Sequence, residues 1–332
     1  MISLVILNKI YLILIIISVL YSIYIKYLKG IKICLCTIGK KENSYAREYV
    51  EHYKKYGVNK IFIYDNNDEN GEKFELVLKD YIDKGFVEII DVRGKIDCLK
   101  QVMENCRKKN YKKFDWLIFF EMDEFIFLRN FSNLKDFLEQ KIFNKCQRVQ
   151  LNWFIHTDNN LIYYDKRSLK ERFPVKKYIF NDKKLPGSTL VKSILKGNVD
   201  VKIKAIHELN DELIACDGFG KFVSSKGIKT TNTDHYYNYI DHYWSKSTEE
   251  FVNKLMRGDP DFGSNLKRVK NNNLLRINIY FVYNKITKEK IDYIENRTKY
   301  NLTKFRLILK NNESYYNIND YYRERYTPFK KN

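Results

Sequence analysis

IKICLCTIGKKENSYAREYVEHYKKYGVNKIFIYDNND, residues 31–68, carries the first decision about the fold. IKICLCTI (31–38) is a short, apolar, β-branched run that reads as a strand. NSYAREYVEHYKKYG (43–57) then changes period. Tyr45, Tyr49, His52, Tyr53 and Tyr56 recur on or near one helical stripe, and Gly57 ends it. KIFIYDNND (60–68) is a second strand that runs into a polar cluster. The alternation continues outward. Residues 71–84 read as a helix closed by Gly85, VEIIDV (87–92) as a third strand, 96–110 as a helix, and DWLIFF (115–120) as a fourth strand. Strands separated by helices of this length imply βαβ units, hence an α/β fold with a mostly parallel, Rossmann-like sheet. Ligands of such sheets bind beyond the carboxyl ends of the strands, where strand order reverses. Thr37, Asp65, Asn66 and the acids of 121–124 all fall at such ends. No G-x-G-x-x-G follows the first strand and no G-x-x-x-x-G-K-[ST] occurs, which argues against a dinucleotide oxidoreductase and a P-loop enzyme.

Further along, SNLKDFLEQ (132–140) reads as a helix capped by Ser132, and RVQLNWFIH (148–156) as a strand. STEEFVNKLMRG (247–258) is a helix with Ser247 and Glu250 in capping-box spacing. No Gly/Ser linker or internal repeat divides the chain. One domain is expected over 31–300, with a peripheral Asn-, Tyr- and Lys-rich tail over 301–332.

Residues 1–30 read as a membrane anchor. IYLILIIISVLYSIYI (10–25) lacks any charge, and residues 2–7 extend it to spanning length with Lys9 able to reach the interface. No small-residue cleavage site follows. A single-pass membrane protein is expected. Lys26, Lys29, Lys32, Lys40 and Lys41 after the span would hold the large domain in the cytoplasm by the positive-inside rule, in conflict with a lumenal arrangement, so sidedness stays open. The net charge of +19 favours anionic partners, or is a solvated lysine-rich surface. The basic residues are scattered and form no RNA or DNA motif, so nucleic acid is not expected as a partner. Six cysteines are too few and too scattered for a disulfide scaffold, and Cys34 and Cys36 should pack on one strand face. Four N-x-S/T sequons in so Asn-rich a chain do not establish secretion.

DWLIFFEMDEFIFL (115–128) interrupts an apolar run with Glu121, Asp123 and Glu124. Glu121 and Asp123 are two apart, so an extended backbone would point both the same way. Burying unpaired carboxylates costs several kcal/mol each, on the order given by transfer data. A hard divalent cation would compensate, since Mg²⁺ or Mn²⁺ takes one or two carboxylates together with diphosphate oxygens. A solvated loop is the plainer alternative.

With these residues in place, the chain resembles glycosyltransferase family 92, metal-dependent enzymes of the GT-A fold. EYVEHYKKYGVNKIFIYDNND, the Gln101…Cys106 spacing, DWLIFFEMDEF, loosely NWF (152–154), and HYWSKSTEEFVNKLMRGD (242–259) carry the resemblance, over roughly 33–260. Glu121 stands where the family usually has Asp, Lys41-Glu42 where it has Asn-Glu, and HTDNN (156–160) replaces a Gly-rich piece. The resemblance implies transfer of a hexose, often galactose, from a nucleotide sugar to a glycan with inversion. It implies Mn²⁺ or Mg²⁺ on Asp123 and Glu121 with His242 as a late ligand, and donor contacts from Thr37, Asp65, Asn66 and Lys246. Lys254 and Arg257 are weaker candidates. An inverting reaction needs a general base. Asp158, Asp217 and Glu250 are the candidates, with Asp217 and Glu250 ahead, and His207 is another possible site residue that packing would equally explain. The rival readings are an inactive relative that binds a glycan or lipid head group, a nucleic-acid-binding protein, and a metal phosphohydrolase.

Overall fold

The structure, a computed structural model, describes residues 4–95, 98–177, 190–205, 208–209, 213–223, 238–258 and 266–311. His207 and most of the expected tail fall outside them. A long helix, α1 (Leu4–Lys29), leads into the βα units: β1 (Ile33–Gly39), α2 (Asn43–Lys55), β2 (Lys60–Asp65), α3 (Phe74–Asp83), β3 (Val87–Asp91), α4 (Leu99–Asn110) and β4 (Trp116–Phe119). Then come β5 (Glu124–Leu128), α5 (Leu134–Leu138), β6 (Arg148–His156), α6 (Leu169–Arg172), β7 (Lys176–Lys177), β8 (Val191–Lys196), β9 (Ile203–Ala205), β10 (Glu208–Leu209), β11 (Ala215–Asp217), β12 (Phe222–Val223) and β13 (Asn238–His242). The helices α7 (Thr248–Met256), α8 (Leu266–Tyr283), α9 (Lys288–Thr298) and α10 (Thr303–Lys310) close the described chain.

The main sheet runs β12-β11-β6-β8-β4-β1-β2-β3. Only β8 and β12 run against the other strands of this path, so the expected mostly parallel α/β sheet is present. The chain steps from β1 outward to β2 and β3, then returns to place β4 on the other side of β1. The reversal of strand order therefore lies between β1 and β4, at Gly39 and Phe119.

Alternation along these strands separates two apolar layers. Ile33 and Leu35 of β1 and Trp116 and Ile118 of β4 join the core beneath α2 and α3. Cys34, Cys36, Leu117 and Phe119 face the opposite layer, with Val102, Met103 and Cys106 of α4. Cys34 and Cys36 thus share a face as their spacing requires. The cysteines do more than pack, however. Cys36 is bonded to Cys106 and Cys146 to Cys216, while Cys34 and Cys98 are free and buried. Each pair joins residues 70 positions apart, a separation that carries no local sequence signal. A third apolar cluster is built by α7, α8, α9 and α10.

One local expectation needs correction. Asn133, not Ser132, caps α5, its side chain accepting from the Asp136 amide. The capping box of α7 is formed as its spacing predicts, with Ser247 and Glu250 each bonding the other's backbone. Among the described residues no helix is long and apolar enough to cross a membrane. Within α1, Ile10 to Ile17 are all exposed, so this stretch is not packed into any core.

Candidate active site

β4 stops at Phe119, and the acids follow on a turn. The Glu124 amide donates to the Glu121 carbonyl (3.0 Å), and the Glu121 amide to Glu124 Oε2 (2.9 Å). Glu121 and Asp123 are therefore not on extended backbone, and the strand-parity argument for their common direction does not apply. They meet for another reason. Helix α2 lies under the turn, where the Tyr49 hydroxyl donates to the Phe120 carbonyl (3.0 Å) and the Tyr53 hydroxyl to the Glu124 carbonyl (2.7 Å). The tyrosine stripe read from the sequence is what fixes both ends of the acid turn. Gly39 lets the turn close over β1, since a Cβ there would lie 2.6 Å from the Phe74 ring and 2.8 Å from Met122 Sδ. β13 then pairs antiparallel with β5, setting His242 opposite Glu124, and the Tyr243 amide donates to the Asp123 carbonyl (2.9 Å).

The result is a charged cluster. Asp123 is buried, with Oδ2 2.6 Å from Lys254 Nζ and Oδ1 3.5 Å from His242 Nε2. Burial alone would raise its pKa, but Lys254 and His242 outweigh burial and hold the carboxyl well below the usual range. Glu121 accepts from Lys192 Nζ (2.9 Å) and is likewise held low against burial. Glu124 is fully buried, and burial pushes its pKa up to about 8 despite Lys192 at 3.2 Å. Burial thus favours its protonated form, and its Oε2 receives the Glu121 amide. Burial also lowers the His242 pKa, keeping the ring neutral, and its Nδ1 has no partner.

A second set of charges closes the other side. Glu42 is buried between Lys246 Nζ (3.0 Å) and Arg257 Nη1 (2.5 Å). Lys246 has φ +54°, a left-handed conformation that costs a non-glycine residue about 1 kcal/mol, and its ammonium lies 3.7 Å from the Tyr45 ring centre. The loop is held there by the α7 capping box and by Asn284 Nδ2 on Ser245 Oγ (3.3 Å). Between the two charge sets is a cavity of about 60 Å³ bordered by Gly39, Asn66, Glu121, Asp123, Lys254 and Arg257. It sits at the β1/β4 reversal point.

The other sequence candidates are distributed as follows. Thr37 is buried on β1, beside a narrow apolar slot that also touches Glu121. Asp65 ends β2 and accepts two bonds from Arg93 (3.0 and 2.8 Å) and one from the Asn67 amide. Asn66 borders the cavity while its amide nitrogen bonds the Val92 and Lys95 carbonyls. Asp217 ends β11, where its Oδ1 accepts from the Phe219 and Lys221 amides. Asp158 is buried against Lys290 (2.6 Å) and Tyr280 (2.5 Å), deep under α8 and α9. Glu250 is paired with Arg172 (2.7 Å), receives the Tyr45 hydroxyl and completes the α7 cap. Because Arg172 is only 1% exposed, Glu250→Ala strands a buried guanidinium. Its expected cost is about 3–5 kcal/mol in urea unfolding.

Two residues of the cluster escaped the sequence reading. Glu42 had a signal, since Lys41-Glu42 occupies the family's Asn-Glu position. Lys192 had none, as it arrives from β8 and is one lysine among many. Among the described residues, no group of three or more His, Cys, Asp or Glu side chains is arranged to hold a metal. Asp123 Oδ1 and His242 Nε2 form a two-ligand edge of suitable chemistry, an ionised carboxylate beside a neutral imidazole. Glu121 is turned to Lys192 and does not complete a triad.

A mostly parallel α/β sheet with a charged cleft at its reversal point defines a protein of the α/β class whose ligands bind beyond the carboxyl ends of the strands. The sequence profile of glycosyltransferase family 92 matches residues 29–274, and the chain belongs to that family, which makes it a transferase by class. A glycosyltransferase family 92 protein of Ricinus communis is 28% identical over 105 residues, covering 32% of this chain and 19% of the relative. One of Oryza sativa subsp. japonica is 25% identical over 116 residues, covering 33% and 18%. The chain thus spans about a fifth of the length of these relatives. Residues 1–349 of S. aureus TarS in complex with UDP-GlcNAc align with TM-score 0.35 and 12% identity, covering 80% of this chain and 79% of that one. The UDP complex aligns with TM-score 0.35 and 11% identity, covering 76% and 70%. Likenesses this loose carry no argument.

Proposed function

We propose that this chain is a GT-A-type hexosyltransferase that moves a sugar, galactose being the first to test, from a nucleotide-diphosphate donor to a glycan acceptor with inversion. The observation that carries the reading is the cavity at the β1/β4 reversal point, with Asp123, Glu121, Lys254 and Arg257 converging on it. Asp123 and His242 would hold Mn²⁺ or Mg²⁺. When bound, such an ion supplies Lewis-acid neutralisation of the departing diphosphate. Charge balance supports this. Four cations (Lys192, Lys246, Lys254, Arg257) already face three ionised carboxylates (Glu42, Glu121, Asp123) beside Glu124, whose neutral form burial favours, so a single excess positive charge is left for an incoming diphosphate.

The chain's own residues take the remaining roles. Thr37 and Asn66 border the nucleoside end, with Asp65 steadying that corner through Arg93. Lys246, raised over Tyr45 and paired with Glu42, would turn to the phosphates. Asp217 is the preferred base, because β11 runs parallel to β6 and its carboxyl end lies on the same sheet edge as the acid turn. At about 4.8 Å per strand, three strand spacings put roughly 14 Å between the ends of β11 and β4, a span the sugar and acceptor would fill. Glu250 is the weaker base, being engaged by Arg172 and the helix cap.

Helix α1 would attach the enzyme to a membrane, a role that the exposed apolar run from Ile10 to Ile17 supports. The two disulfides support a catalytic domain on the oxidising side of that membrane, against the lysine count.

The test is a thermal-shift screen of nucleotide sugars on the detergent-solubilised chain, with Mn²⁺ and with chelator. One donor at saturating concentration should raise the melting temperature by about 5 °C or more, and only with metal. No shift with any donor, from folded protein, would turn the assignment to a binding-only relative.

A further inference from the structure

We propose that Lys254 is a built-in placeholder for the divalent cation, holding Asp123 until metal and diphosphate arrive together and then turning to the diphosphate. The inference rests on the reading of Asp123 and His242 as metal ligands. Lys254 and His242 divide the carboxylate between them, the ammonium on Oδ2 at 2.6 Å and the imidazole on Oδ1 at 3.5 Å. A dication bound to Asp123 would stand within a few ångströms of that ammonium, and their repulsion at such range makes joint occupancy unfavourable.

Three features fit Lys254 for exchange rather than a fixed structural role. Its stem rises from α7, which is fixed at one end by the Ser247–Glu250 capping box and at the other by Arg257 on Glu42, so only the side chain has to move. Among the described residues its other hydrogen bond is to the Trp244 carbonyl (3.2 Å), which it can keep or leave without breaking a buried ion pair. Its ammonium borders the cavity together with Arg257, so the space it would turn into is the space the diphosphate would enter. The outcome is coupling: metal alone must evict a bound ammonium, whereas metal with diphosphate gives that ammonium a new anion.

The test uses the solubilised full chain. Binding of Mn²⁺ alone is followed by electron paramagnetic resonance of the free ion. Binding of preformed Mn²⁺–pyrophosphate is followed by tryptophan fluorescence. Lys254→Met should bind Mn²⁺ alone roughly tenfold or more tighter than the wild type, and Mn²⁺–pyrophosphate roughly tenfold weaker. Lys254→Arg should restore weak binding of the bare ion. This crossing of the two affinities separates exchange from a merely structural role, which would move both the same way. Equal or weaker Mn²⁺ binding by a folded Lys254→Met protein overturns the proposal while leaving the metal site standing. Absence of Mn²⁺ binding by every variant overturns both, and a donor shift that persists in chelator would then keep the transferase reading alone.

Discussion

Asp123→Asn is expected to lower kcat for sugar transfer by about three orders of magnitude, measured with whichever donor the thermal screen identifies. The substitution keeps volume and one oxygen but removes the charge. Losing a ligand of a Lewis-acid site forfeits several kcal/mol of charge stabilisation, and about 4 kcal/mol corresponds to that factor. The fold should survive better than the activity. The turn carrying residue 123 is held through its backbone carbonyls by the Tyr49 and Tyr53 hydroxyls and the Tyr243 amide, none of which uses the carboxylate. Lys254 loses its anion, but burial already lowers its pKa, so it can shed its proton instead of remaining a stranded charge. Far-ultraviolet circular dichroism and a thermal melt would separate the two effects. A folded Asp123→Asn protein that transfers sugar within tenfold of the wild type, still with metal dependence, would remove Asp123 from the reaction.

The second large effect is on stability. Each disulfide closes a loop spanning 70 residues, and the two loops, 36–106 and 146–216, do not overlap. In the chain-entropy account each restricts the unfolded chain by about 4 kcal/mol. Their contributions should therefore approach additivity. Cys36→Ala with Cys106→Ala should lower unfolding free energy by up to that amount, as should Cys146→Ala with Cys216→Ala. Dithiothreitol should reproduce the sum in the wild type and do nothing further to the quadruple variant. The first pair should also weaken donor binding, because Cys36 precedes Thr37 on β1 and Cys106 ties that strand to α4. Denaturant midpoints that do not move on reduction would show that the thiols are unpaired in the protein as made.

The βα alternation from 31 to 120 was legible because its signals are local: a short apolar, β-branched run in IKICLCTI, a helical tyrosine stripe in 43–57, glycines at 57 and 85. Capping by Ser247 and Glu250 was legible for the same reason. Ser132 and Asn133 compete for one cap, and composition cannot choose between neighbours that both accept a hydrogen bond. The site was legible only in part. Asp123 stood out because a charge in an apolar run demands a partner. The partners themselves, Lys254 at 131 positions and Lys192 at 71 positions from the acids they meet, are delivered by sheet pairing and helix packing. His242 came from family resemblance alone, and its place beside Asp123 depends on β13 pairing with β5. The cysteine pairings were invisible because nothing in a spacing of 70 specifies a contact.

Where β1 begins has a further bearing on what the enzyme can reach. Helix α1 gives way at Gly30, and β1 then runs seven residues before Gly39 meets the cleft. At about 3.3 Å per residue this lifts the reacting edge roughly 20 Å from the point where the helix ends. Whatever surface holds the helix, the protein works at arm's length from it. Under the proposed transferase reading, acceptor groups that reach about that far from the end of the helix would be the ones presented to the cleft.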